Sequence, residues 1–551
     1  MKQLFSMILL FCLTLFSSNA CELQKIPDDN FSEDVSKDDV SSFVSEYESF
    51  PPSEELSENN SEENSGDVSE NSSEEASKDL SNDMSNDESK DTSNDESKDT
   101  SNDESEDTSN DESKDVSNDE SEEESKDVII DVEGYEQFLK VSEIDETLLE
   151  REFKDFGANK DYLPLNYDII KACWISQFDF DSVYYSNRKQ RSQSAFTSLV
   201  EQAYDNLLTL GFNTVIVQIR PNTDSFYPSA YYPWSSYVVY QYGKYGSYDP
   251  LEIMIREAHE RGLSFHAWIN PMRGMSSTNL NKIDDVYPMT KWIGTRKLYN
   301  YNSINYLNIA YDDVRQLIIN GAAEIVRNYD VDAVHMDDYF YFGETTAFDN
   351  VEYNEAKASN SKLTLRQFRY NNLNTLVSGI YSAIKAENPK VLFGISPAGN
   401  INNMATTYYA DVETWLSEDG YLDYIMPQIY FGMEHATWSF SATYERWSAV
   451  TTNPNIKFTC GMTFGKAVDG YDGTGDQYAG SGKNEWINNK DVFKKCFEYA
   501  LKQDNFGGYA VFCYQYMFDP NTGVANIKVE PELENCREYM TDIIKGEVIE
   551  Y

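Results

Sequence analysis

Ala333-Val-His-Met-Asp-Asp-Tyr-Phe-Tyr341 is a short apolar run that ends in two adjacent carboxylates and three aromatic rings. Side chains alternate along a strand, so His335 and Asp337 share one face and Asp338 takes the other. Seven more runs of this kind follow or precede it: Ile169–Ser176, Thr214–Pro221, Ser264–Asn270, Lys390–Pro397, Tyr424–Tyr430, Lys457–Phe464 and Gly508–Tyr516. Longer amphipathic stretches lie between them, among them Ser194–Leu210, Pro250–Arg261, Asp312–Tyr329, Thr364–Glu387 and Asp491–Gln503, with a last one near Glu532–Ile544. Strands that alternate with helices predict a parallel sheet, and eight such units predict a (β/α)₈ barrel over residues 169–545. No GxGxxG turn follows the first strand and no phosphate-binding GxxxxGK[ST] loop occurs, so a nucleotide fold is not indicated.

Barrels of this class carry their chemistry at the carboxyl ends of the strands. Those ends are polar and aromatic where packing alone would place Val, Ile and Leu: Gln218 with Arg220, His266 with Trp268 and Asn270, His335 with Asp337, and Gln428 with Tyr430. Asp337 is the expected reacting group, with Asp338 supporting it through Arg220 or a loop backbone. A carboxylate there serves as nucleophile, base or acid according to its burial. Glycoside cleavage needs a second, opposed carboxylate. Asp224, in the loop after the second strand, is the favoured partner, ahead of Asp338, Glu344, Glu434 and Asp469. Trp268, Tyr339, Tyr341, Tyr430 and Tyr514 are expected sugar platforms, and Arg220, His266, Asn270, His335 and Gln428 expected hydrogen-bonding ligands. His266, His335 and Asp337 also make a conceivable metal triad for a deacetylase, although four histidines without HxH or HExxH spacing argue for no metal and no cofactor.

The rest of the chain reads differently. Lys2, the apolar run Leu4–Phe16 and the small residues up to Ala20 form an export signal, 1–20, too short for a lasting membrane span. Cys21 follows it directly and would be the lipidated residue of a membrane-tethered lipoprotein; plain secretion is the alternative. Either way the expected location is extracellular or at the cell surface. Residues 21–127 form an acidic Ser/Asn/Asp/Glu linker with an explicit eight-residue repeat, its serines at Ser85, Ser93, Ser101, Ser109 and Ser117. Such a segment buries too little apolar surface to offset its ordering entropy and reads as a disordered stalk. Residues 128–168 are transitional. The whole chain carries a formal charge of −51, and the excess of acid extends into the barrel, which excludes a nucleic-acid partner. Cys173, Cys460, Cys496, Cys513 and Cys536 show no framework spacing and are expected as buried thiols.

The barrel segments resemble the glycosyl-hydrolase-like family 10 proteins, from about Lys171 to Tyr516. The resemblance rests on Gln218-Ile-Arg220-Pro221 with Asp224, Phe226-Tyr-Pro-Ser229 and Pro233-Trp-Ser235. It continues through Tyr248-Asp-Pro-Leu251, His266-Ala-Trp-Ile-Asn-Pro271, Asp337-Asp-Tyr-Phe-Tyr341, Gly394-Ile-Ser-Pro397 and Met426-Pro-Gln-Ile-Tyr430. It implies an exported glycoside hydrolase on glycan chains, with peptidoglycan strands as leading substrate. A non-catalytic glycan-binding barrel and a metal-dependent polysaccharide deacetylase stay open as alternatives. The long acidic stalk and Glu434 depart from the family pattern.

Overall fold

The computed structural model describes residues 161–337, 340–341 and 347–551. The export signal, Cys21, the acidic repeat and most of the transitional segment lie outside the described residues, as do Asp338, Tyr339 and Glu344. Eight strands close into one parallel barrel: β1 (Ile170–Ile175), β2 (Thr214–Arg220), β3 (Ser264–Ile269), β4 (Ala333–Met336), β5 (Leu392–Ile395), β6 (Tyr424–Ile425), β7 (Lys457–Thr463) and β8 (Phe506–Phe512). Neighbours in sequence are neighbours in space, and β8 pairs β1 to close the ring.

A helix follows every strand: α1 (Gln193–Thr209), α2 (Pro250–Glu260), α3 (Asp312–Asn328), α4 (Leu365–Glu387), α5 (Val412–Ser417), α6 (Phe440–Val450), α7 (Val492–Ala500) and α8 (Glu530–Glu538). Their starts are written in the sequence. Asp249 caps α2 by accepting from Leu251 and Glu252 N–H, with Pro250 in the first turn where its missing donor costs nothing. Thr364 and Gln367 form a reciprocal capping box on α4. Sequence reading missed α5, α6 and a three-stranded antiparallel sheet (Arg273–Ser276, Leu298–Tyr301, Ile304–Leu307) inserted after β3. The expected sixth strand shrinks to Tyr424–Ile425, and the end of the expected eighth becomes a helical turn at Tyr514–Met517. All five cysteines of the folded part are buried and free.

The barrel interior is filled by alternate residues of its strands: Ile170, Ala172 and Trp174 from β1, Ile216, Trp268, Ala333, Tyr424 and Ala510. The Tyr424 ring fits because its neighbour on β5 is Gly394, where any Cβ would overlap it. At the amino end of the barrel, the buried Asp332 carboxylate accepts from the Tyr162 hydroxyl (2.6 Å), the Phe265 N–H (2.6 Å) and His259 Nε2 (2.8 Å). This ties the segment entering β1 to α2 and β4. Burial opposes a charge on His259, but the hydrogen bond and the charges of Asp332 and Asp330 outweigh it and raise its pKa above 6.5. Protonation therefore favours the folded state: the contribution is complete below the unfolded value and is lost as pH rises through the higher folded one. A His259→Gln variant should melt below the parent at pH 5.5 and approach it as pH rises to 8.5, as followed by circular dichroism.

Candidate functional site

At the carboxyl end of the barrel the strand alternation brings Gln218, Trp268, Asn270, His335 and Asp337 to the axis. Asp337 is 3 % exposed, and its Oδ2 accepts from Trp268 Nε1 at 3.1 Å. A buried hydrogen bond of this kind contributes about 0.5–1.5 kcal/mol and fixes both partners. Gln218 Nε2 donates to Asn270 Oδ1 (3.0 Å) beside them. The wall opposite is aromatic: Trp174 meets Tyr430 edge-on (6.5 Å) and Phe512 (6.4 Å), and Phe512 meets Tyr516 (6.2 Å). Tyr430 and Gln428 keep partial exposure, and Gln428 Nε2 donates to the Ser396 carbonyl (3.0 Å). Trp174, Phe512 and Tyr516 escaped sequence reading, although Trp174 lies on the axial parity of β1.

Beneath this rim lies a polar chain whose direction is set by one group. An indole N–H can only donate, so Trp174 makes His335 Nε2 an acceptor (3.3 Å) and leaves the His335 proton on Nδ1. His335 Nδ1 then donates to Tyr424 Oη, and the Tyr424 hydroxyl donates to His266 Nδ1, both at 2.9 Å. Burial holds His335 well below the ordinary histidine range and brings His266 down to about 3, so both rings are neutral. This corrects their reading as sugar ligands: both rings are buried, and both nitrogens of His335 and Nδ1 of His266 are already taken by Trp174, Ser396 and Tyr424. The alternative of a metal triad from His266, His335 and Asp337 is not assembled either. The two imidazoles converge on the Tyr424 hydroxyl, and no cluster of three ligating side chains occurs among the described residues.

Arg220 departs from the expected bowl. The β2–β3 register pairs Gln218 with Trp268 but Arg220 with Ile269, so Ile219 is an inserted residue. Such a bulge reverses parity. Arg220 therefore points outward, its guanidinium 4.4 Å from the Tyr232 ring centroid and lodged over Gly321 of α3. Next to it the buried Glu324 accepts from Ser229 Oγ (2.6 Å) and Ala230 N–H (2.7 Å), and burial pushes its pKa up to about 7. Arg220 clamps a loop and is not turned toward the bowl that holds Asp337.

Asp224 is likewise drawn inside. It has no exposed surface; one oxygen accepts from Asn222 N–H (2.8 Å) and the other from the Tyr242 hydroxyl (2.6 Å). Burial raises its pKa against those bonds and one from Ser235. It closes its own loop and offers no free face to a substrate. Tyr341 is buried under the Arg369 guanidinium (4.9 Å), which forms a buried ion pair with Asp349 (2.8 Å). Tyr514 is fully buried, its hydroxyl accepting from Asn206 on α1 (3.2 Å). Neither is a platform for a sugar. Of the alternative carboxylates, Glu434 lies exposed on a loop whose N–H groups are held by Glu485. Asp469 sits on the short helix Gly465–Tyr471 after β7. Burial raises its pKa, and its charge acts on Tyr516 in the bowl wall.

Residues 169–473 match the model of the family described as Glycosyl hydrolase-like 10, more than half of the chain. The chain belongs to that family. The matched region ends after β7, so β8, which closes the barrel, lies beyond it. Among curated relatives the chain is 35 % identical to Glycosyl hydrolase YngK of Bacillus subtilis, over 55 % of this chain and 62 % of YngK. It is 30 % identical to Glycosyl hydrolase DigH of Escherichia coli K12, over 54 % of this chain and 73 % of DigH. The match thus spans less than two thirds of YngK. A solved structure with a similar course is the PgaB (BpsB) glycoside hydrolase domain from Bordetella bronchiseptica, with TM-score 0.44 and 10 % identity over 68 % of this chain and 99 % of that one.

The outward clamp has a direct consequence. A Cβ at Gly321 would overlap both Arg220 Nη1 and the Tyr232 ring. Gly321→Ala should destabilise the fold by roughly 1–3 kcal/mol, measured by denaturant unfolding, whereas Gly294→Ala, on an open loop with positive φ and no atom near the new Cβ, should cost less.

Proposed function

We propose that this protein is an exported, endo-acting glycoside hydrolase that cleaves glycan chains, peptidoglycan strands foremost, through Asp337. The observation that carries the reading is the Trp268–Asp337 pair at the axis, a carboxylate fixed by an indole and facing an aromatic wall. Stacked rings bind the apolar faces of sugars, and a carboxylate at that height is placed to act on the anomeric carbon or on the water that attacks it. Membership of a glycosyl-hydrolase-like family and the names of YngK and DigH support the same chemistry. For the second carboxylate we assign Asp469 in place of Asp224: it follows β7 at the carboxyl end of the barrel, keeps an exposed surface, and lies near enough to Tyr516 of the bowl wall for its charge to be felt there. Its raised pKa suits the acid that protonates the leaving oxygen. Export rests on the signal-like first twenty residues, and tethering on a lipidated Cys21, with the acidic segment as spacer.

The test is release of soluble oligosaccharides from peptide-free peptidoglycan and other glycans by the purified mature protein. Asp337→Asn should abolish release while melting like the parent. Asp469→Asn should lower kcat/KM on natural strands by about 10²–10⁴-fold, and much less on aryl glycosides, whose leaving group needs no acid. No release from any glycan by the parent sinks the reading. A non-catalytic glycan-binding barrel is the second reading, favoured by the capture of Asp224 within its loop; binding without turnover, unchanged in Asp337→Asn, would mark it.

A further inference from the structure

Three amides at the rim form a chain whose polarity is fixed at its far end. The Gln177 backbone N–H can only donate, and it donates to Gln218 Oε1 (3.0 Å). Gln218 must then turn its NH₂ group to Asn270, whose Oδ1 accepts it (3.0 Å). Asn270 in turn is forced to present its own NH₂ group away from Gln218. That nitrogen is buried and without a partner, in a side chain only 1 % exposed. Alternation places it on the axis: Ile216 and Trp268 line the barrel interior, and Gln218 and Asn270 each lie two residues further along. The β3–β4 register pairs Trp268 with His335 and Ile269 with Met336, so the next step in line sets Asn270 beside Asp337.

A buried N–H left unmade costs about 1–3 kcal/mol, and what sets this one apart from other unpaired buried groups of the fold is its place on the axis beside Asp337. Here three residues cooperate to hold it as a donor, next to the carboxylate assigned to the anomeric carbon. We infer that Asn270 is a specificity-determining residue whose side-chain N–H binds an acceptor oxygen on the sugar substituent next to the anomeric carbon. Gln218 is its positioning residue. The inference rests on the glycosidase reading, since it takes Asp337 as the mark of the cleaved bond. The group selected is neutral and oxygen-bearing, such as an acetamido carbonyl. An ammonium group in that place has no acceptor to offer the N–H.

The test compares cleavage of peptide-free peptidoglycan strands with the same strands after chemical de-N-acetylation. The parent should cleave the acetylated strands at least tenfold faster in kcat/KM. Asn270→Ala should bring that ratio close to one, mainly by slowing the acetylated strands. Gln218→Glu is the sharper variant. A carboxylate at 218 still accepts from Gln177 but no longer donates, so Asn270 turns its NH₂ toward it and shows its oxygen to the substrate. That variant keeps Asn270 and should lose the preference to the same extent where the new carboxyl is ionised, and regain it as falling pH protonates the carboxyl into a donor; burying the new charge should lower its melting point without unfolding it. A ratio that stays above tenfold in both variants overturns the assignment while leaving the glycosidase reading standing. A parent that cleaves neither kind of strand, nor any other glycan, overturns both.

Discussion

The constraint on which the structure depends is the closure of eight strands into one ring. Closure sends every second side chain to the axis, where the space is small and must be filled without voids. Tyr424 does much of that filling, and it does so because Gly394 yields the room. Its hydroxyl brings a polar atom into the centre, and the two imidazoles of His266 and His335 satisfy it. The buried polar chain of the barrel follows from that fit. It ends at the Trp174 indole, so the packing that fills the middle also fixes one wall of the bowl above.

The same rule divides polar from structural residues at the rim. Trp268, Asn270 and Asp337 keep axial parity and meet in the bowl. Arg220 loses it through one inserted residue and becomes a clamp on α3. Asp224, four residues further on, is absorbed by the loop that this clamp steadies. The buried acids of the barrel serve different ends. Asp224, Glu324, Asp332 and Asp349 hold loops and termini from buried positions, while Asp337 lies at the axis among groups suited to a sugar.

Much of this was legible in the sequence. All eight strands were, because each holds a short apolar run, and so was the axial place of Asp337, since parity from Ala333 onward is unbroken. The failures have local causes. Arg220 required the bulge at Ile219, which no periodicity announces, and its seat on Gly321 lies a hundred residues away in the chain. Tyr514 was read as the continuation of a strand that in fact ends at Phe512 and turns into a helix. His266 and His335 were taken as ligands because their shared partner, Tyr424, sits on a different strand and looks like one more core aromatic. Asp338 and Tyr339 lie outside the described residues, so the support expected from Asp338 is not part of the geometry above.

The central claim is that Asp337 stands at the cleaved bond. The most direct measurement is a crystal structure of the Asp337→Asn protein with a bound glycan oligosaccharide spanning the bowl. The expected result places an anomeric carbon within contact of residue 337, with a sugar ring against the Trp174–Tyr430–Tyr516 wall. An oligosaccharide bound elsewhere on the barrel, with the bowl left empty, would contradict the account.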